Sequence, residues 1–138
     1  MNTCVFCNLS EREILRETPN TLTILSNPYL VQGHTLVMPK IHVQRLSELT
    51  KEIRYELIEE VMNVQELLIQ KLGSPGCDLR CNYRPYLPDS RLKVSHLHFH
   101  ILPRYNQDEL YQKSMINEKQ LFTDLTPELN KFLINKLK

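Results

Sequence analysis

Apolar side chains recur at Ile53, Leu57, Val61, Val64, Leu68 and Leu72, and spacings of three and four lay one stripe along an α-helix. The pattern predicts a long amphipathic helix over 50–72. Thr50 can accept from the free amides of its first turn, Glu52 suits the positive end of its dipole, and Gly73 with Pro75 ends it. Before the helix a period of two governs: Thr21 to Leu25 alternates, Asn27-Pro28 breaks the run, and Gly33 precedes His34-Thr35-Leu36-Val37-Met38. These two runs predict an antiparallel strand pair. Beyond the helix, Cys77 to Tyr83 reads as a strand, and 84–90 reads as a loop because its two prolines remove ladder donors. Val94 to Leu102 alternates strictly, predicting a strand with Leu97, Phe99 and Ile101 on one face and His96, His98 and His100 on the other. Thr126-Pro127-Glu128 reads as a helix start, with Leu129, Phe132, Leu133 and Leu137 on an apolar face.

A length of 138 residues with no linker or internal repeat predicts one domain over 1–138. Apolar residues make up 41%, charged residues 24%, and no apolar run reaches the roughly 20 residues of a membrane span. The N-terminus has neither a basic start nor a long apolar stretch, so the expected location is cytoplasmic. With 17 basic against 16 acidic side chains, no whole-molecule field recruits an extended nucleic acid, and any phosphate binding must be local. Four cysteines in a reducing compartment are metal ligands or core residues before they are disulfide partners.

Three of the five histidines fall within five residues at a spacing of two. On a strand they form a row at intervals of roughly 6.6 Å. A polar solvent face explains one such histidine; three in register point to chemistry. Imidazole is largely neutral and nucleophilic at neutral pH and can still donate a proton elsewhere, which suits phosphoryl transfer.

His96-Leu97-His98-Phe99-His100-Ile101-Leu102 resembles the signature of the histidine triad (HIT) superfamily, and Pro103-Arg104 continues it. Cys4-Val5-Phe6-Cys7, the run Gly33 to Lys40, and His42 resemble the family's other landmarks in the same order. The resemblance implies an α+β, HIT-like fold: an antiparallel sheet of about five strands, one long helix and a C-terminal helix, usually in a homodimer. It also implies a two-step displacement at the α-phosphorus of a nucleotide, with His98 as nucleophile and His98 and His100 lining the phosphate pocket. In the branch that opens with this cysteine pair, Cys4, Cys7, His42 and His96 are implied ligands of a structural zinc ion; two thiols alone leave a tetrahedral shell half filled. Cys77 and Cys81 read as packing residues, and His34 as a satisfied structural histidine.

For nucleotide binding, Asn27, with Ser26 beside it, resembles the family's ribose ligand, and Asn82 resembles an asparagine that contacts phosphate. Either can instead be a turn residue or strand end. Where many members carry Gly-Gln-Ser, this chain has Arg91-Leu92-Lys93. Arg91 can grip phosphate oxygens, whereas the alternation turns Lys93 away from the histidines. Tyr83 and Tyr86 are candidates for stacking on a base. The leading expectation is a nucleotide hydrolase acting on a dinucleoside polyphosphate or a nucleoside phosphoramidate. The alternatives are a nucleotidyltransferase or phosphorylase with a non-water acceptor, and a non-catalytic nucleotide-binding protein.

Overall fold

The computed structural model describes residues 3–138 and arranges five strands in one sheet. These are β1 (Ile14–Glu17), β2 (Thr21–Leu25), β3 (Thr35–Pro39), β4 (Gly76–Cys81) and β5 (Phe99–Arg104). Their order across the sheet is β1-β2-β3-β5-β4, and every neighbouring pair is antiparallel. The expected hairpin forms between β2 and β3, in register from Leu25 opposite Thr35 to Thr21 opposite Pro39.

Helix α1 (Lys51–Leu72) has the ends its sequence dictates. Thr50 accepts from the Ile53 amide at 3.3 Å, and Gly73 caps the C-terminus in the left-handed conformation at φ 64°. Its Leu57, Val61, Val64 and Leu68 bury against Val37, Leu97 and Ile101, with Phe99 and Cys77 at the margin. The stripe contains one charged residue, Glu60, which is buried and receives Arg16 of β1 at 2.9 Å. The other face of the sheet is covered by the N-terminal segment, where Phe6 packs with Ile24, Leu36 and Met38. Both faces of β3 are therefore closed, and all five of its residues are buried. Gly33 turns the chain into β3 at φ +89°, and a Cβ there would come within 2.6 Å of Leu72 Cδ1.

The histidine-bearing strand begins later than its alternation predicts. Residues 94–98 make no ladder, and β5 starts at Phe99 and runs through Pro103 to Arg104. The Leu97 amide instead donates to Val43 O at 2.7 Å, so this stretch is drawn toward the segment after β3. The strand after α1 likewise stops at Cys81, before Tyr83.

Contacts divide the chain into two compact units, one ending at Asn106 and one spanning Gln107–Lys138. In the second, a π-helical turn at Tyr111–Met115 runs into α2 (Ile116–Glu118), and α3 (Pro127–Leu137) follows. Thr126 caps α3 by accepting from the Leu129 amide at 3.2 Å, with proline in its first turn.

Candidate functional site

A single 3-10 turn over Val5–Cys7 returns the chain so that Cys7 N–H donates to Cys4 O at 3.1 Å. The Sγ atoms of Cys4 and Cys7 and the Nδ1 atoms of His42 and His96 all lie within 4.8 Å of one another. His96 Nδ1 stands 3.4 Å from Cys4 Sγ, 3.5 Å from Cys7 Sγ and 3.2 Å from His42 Nδ1, and Cys7 Sγ is 3.5 Å from His42 Nδ1. Bonds of about 2.3 Å to sulfur and 2.0–2.1 Å to nitrogen give a tetrahedral shell edges of about 3.5 Å for S···N and 3.3 Å for N···N. Four of the six donor pairs thus already have the spacing of a tetrahedral metal shell. His96 Nε2 donates to Pro39 O at 2.8 Å, which fixes the ring and turns the Nδ1 lone pair inward. Four donors converging lone pairs on one point, with His96 buried, can hold a metal ion.

Two residues along, His98 Nδ1 lies 2.6 Å from His96 O. A carbonyl only accepts, so the ring proton sits on Nδ1 and Nε2 keeps its lone pair. Burial holds the His98 pKa below the ordinary imidazole value, against the opposing bond to His96 O, so the ring is neutral at neutral pH. Phe6 meets the rings of both His96 and His98 edge-on, with centroids 5.8 and 5.1 Å away. The turn that carries the thiols therefore also braces the nucleophile candidate.

His100 lies in the ladder, opposite Leu36 of β3 and Arg80 of β4. Its ring centroid is 4.7 Å from that of His98, with the planes at 63°. His34 completes the group. Its Nδ1 accepts from the Leu30 amide at 3.1 Å, and its Nε2 is 2.9 Å from His100 Nδ1. A backbone amide can only donate, so neutral His34 carries its proton on Nε2 and gives it to His100 Nδ1. Neutral His100 must then carry its own proton on Nε2. Burial, with the fields of Arg80 and His98, pushes His34 down to about 4; burial, with His98, His34, Arg80 and Arg84, pushes His100 down to about 3. His98 thus offers a lone pair, and its neighbour offers a hydrogen-bond donor.

His98 and His100 stand in the wall of a cleft of about 1050 Å³. Phe6, Leu9, Ile24, Leu25, Leu36 and Val94 give it an apolar body, and Ser26, Asn27, Ser90 and Arg91 line it as well. Asn27 Oδ1 accepts from Arg91 Nη2 at 3.4 Å, so these two expected nucleotide ligands meet in the cleft. Asn82 faces a separate, smaller hollow with Tyr83, Arg84 and Lys93. Lys93 is held by Asp89 at 3.1 Å and Ser95 at 2.6 Å, and it does not line the cleft of His98 and His100. Tyr83 lies under the Arg45 guanidinium at 5.5 Å, and neither it nor the exposed Tyr86 lines the large cleft. Sequence reasoning gave His34 a satisfied structural role and passed over Arg80. The partner of each lies across the sheet, and a strand register is the only signal that reveals them.

The family model for the HIT domain matches residues 9–107, beginning just after the cysteine pair. An uncharacterized HIT-like protein of Methanocaldococcus jannaschii is 34% identical over 109 residues, covering 76% of this chain and 81% of its own. An adenosine 5'-monophosphoramidase of Schizosaccharomyces pombe is 29% identical over 76% of this chain and 77% of its own. Among solved structures, a Zn-bound histidine triad family protein of Mycobacterium smegmatis superposes with a TM-score of 0.66 at 27% identity, covering 78% of this chain and 79% of that one. The sheet, the triad and the matched span agree, and the chain belongs to the HIT family.

Proposed function

We propose that this chain hydrolyses a nucleotide substrate at its α-phosphorus, a dinucleoside polyphosphate or a nucleoside phosphoramidate, through a nucleotidyl intermediate on His98. The observation that carries the reading is a neutral His98 whose proton is committed to His96 O and whose Nε2 is left as a lone pair beside an open cleft. In the first step Nε2 forms a bond to phosphorus, and the leaving group departs with the electron pair of the bond it held. In the second, a water oxygen bonds to phosphorus, the N–P bond breaks back to His98, and the water proton passes to solvent. The His100 Nε2–H donates to a non-bridging oxygen as charge builds there. The cleft's apolar body suits a base, and Asn27 with Arg91 suits the ribose or phosphate end. A relative named as a phosphoramidase supports nucleotide hydrolysis at the level of the family.

Cys4, Cys7, His42 and His96 would hold zinc, whose contribution is a structural cross-link between the N-terminal turn and the triad. The reading treats 1–138 as one HIT-like domain, working as a cytoplasmic homodimer.

The test is to incubate the protein with diadenosine tetraphosphate and with an adenosine phosphoramidate in oxygen-18 water, with and without inorganic phosphate, and to weigh the products. AMP carrying one labelled oxygen is expected. AMP release that requires phosphate identifies a nucleotidyltransferase, and binding without product identifies a non-catalytic protein. His98→Ala is expected to lower turnover by at least about 1000-fold with an unchanged circular dichroism spectrum.

A further inference from the structure

Two guanidinium groups stand on the β4 side of His100 and have no part in the steps above. Arg80 is the register partner of His100. Its side chain shares the histidine face, because paired residues on neighbouring strands point to the same side of the sheet, while Cys77, of the opposite parity on β4, packs toward α1. Arg84 follows, with Nη2 3.5 Å from Asn82 Oδ1. The fields of both reach His100, and that of Arg80 also reaches His34.

Two other cations near this end of the sheet are neutralised, Lys93 by Asp89 and Arg104 by Asp78. Among the described residues Arg80 and Arg84 have no carboxylate partner. Arg80 is moreover half-buried. A guanidinium drawn partly out of water beside uncharged imidazoles is poorly compensated until an anion arrives.

Position says which part of a substrate that anion is. With the nucleoside in the cleft walled by Ile24, Leu36 and Asn27, β4 lies on the opposite side of β5 from it, the side left for the group that departs from a phosphorus on His98. The chemistry agrees. An amine must be protonated to leave, yet Leu92 and Lys93 present no hydroxyl, and Lys93 is tied to Asp89 and Ser95. A polyphosphate leaves as a stable anion at neutral pH without a proton.

We propose that Arg80, assisted by Arg84, forms a leaving-group subsite that selects nucleotides departing as a polyphosphate anion over those departing as a neutral amine. This inference rests on the hydrolase reading above for its catalytic expression, though not for anion binding itself.

The test compares wild type, Arg80→Met, Arg80→Lys and Arg84→Gln on two substrates with the same nucleotidyl group, diadenosine tetraphosphate and AMP-morpholidate. Binding of inorganic tripolyphosphate is measured in parallel by calorimetry. Arg80→Met is expected to lower kcat/KM for the tetraphosphate by roughly 10- to 100-fold, the usual range for loss of a charged hydrogen bond, and to change the morpholidate by less than about 2-fold. Arg80→Lys should recover part of the loss, Arg84→Gln should show a smaller effect of the same kind, and tripolyphosphate affinity should fall in parallel. Equal losses on both substrates, or no loss on either, overturn the subsite. If wild type cleaves neither substrate, the hydrolase reading fails by itself; tripolyphosphate binding that weakens in Arg80→Met then still upholds the anion subsite, and binding indifferent to that substitution removes it.

Discussion

The direction of every proton in the triad follows from three main-chain groups that cannot change roles, the first being the Pro39 carbonyl, which fixes His96. The Leu30 amide fixes His34, which fixes His100, and the His96 carbonyl fixes His98. If His34 acts by holding the tautomer of His100, a side chain that accepts from an amide at one end and donates at the other should replace it. We expect His34→Leu to lower kcat by about 10- to 100-fold and His34→Gln to lose considerably less, with KM changed little in either. Equal losses in the two variants would reduce His34 to packing. The triad itself was legible in the sequence, since three alternating histidines state both a face and a chemistry. His34 and Arg80 were not, because a lone histidine or arginine in an apolar run declares no partner until strands β3 and β4 are paired with β5.

At the scale of elements, α1 and the β2–β3 hairpin could be read almost residue by residue, because period, caps and breakers all agree there. The error at β5 is instructive. Alternation from Val94 onward is real, but alternation describes which way side chains point and not which strand they bond. Residues 94–98 keep the pattern while His96 is drawn to His42 and Leu97 bonds Val43, so the ladder waits until Phe99. The N-terminal turn is one three-residue 3-10 turn, and under the proposed zinc site it is the element that loss of a ligand would loosen. Cys4→Ser should therefore lower both bound zinc, read by atomic absorption, and the melting temperature. Turnover should fall with them, because Phe6 braces His98 from this turn. Full zinc content in that variant would exclude the four-ligand site.

For the whole molecule, the buried histidines make stability depend on acid. His34 and His100 titrate in the fold near 4 and 3, below the ordinary imidazole value of 6.5. The unfolded chain thus binds more protons through this window, and stability rises with pH across it. Their contribution is complete above about 6.5 and drains away as the pH falls toward 4 and then 3. Urea midpoints measured from pH 7.5 down to 4 should decline, and the decline should be shallower in His34→Gln, which removes one of the two groups. An unchanged slope would show that the fold does not hold the His34 ring neutral through this window.

His96 serves its surroundings through two separable parts. Its ring belongs to the ligand shell, whereas its carbonyl aims His98, and a carbonyl is common to all twenty amino acids. Mutational drift at position 96 would thus remove one of the four donors while His98 keeps its main-chain acceptor. The scaffold can therefore vary what stands at the cluster without rewriting the main-chain contact that orients His98.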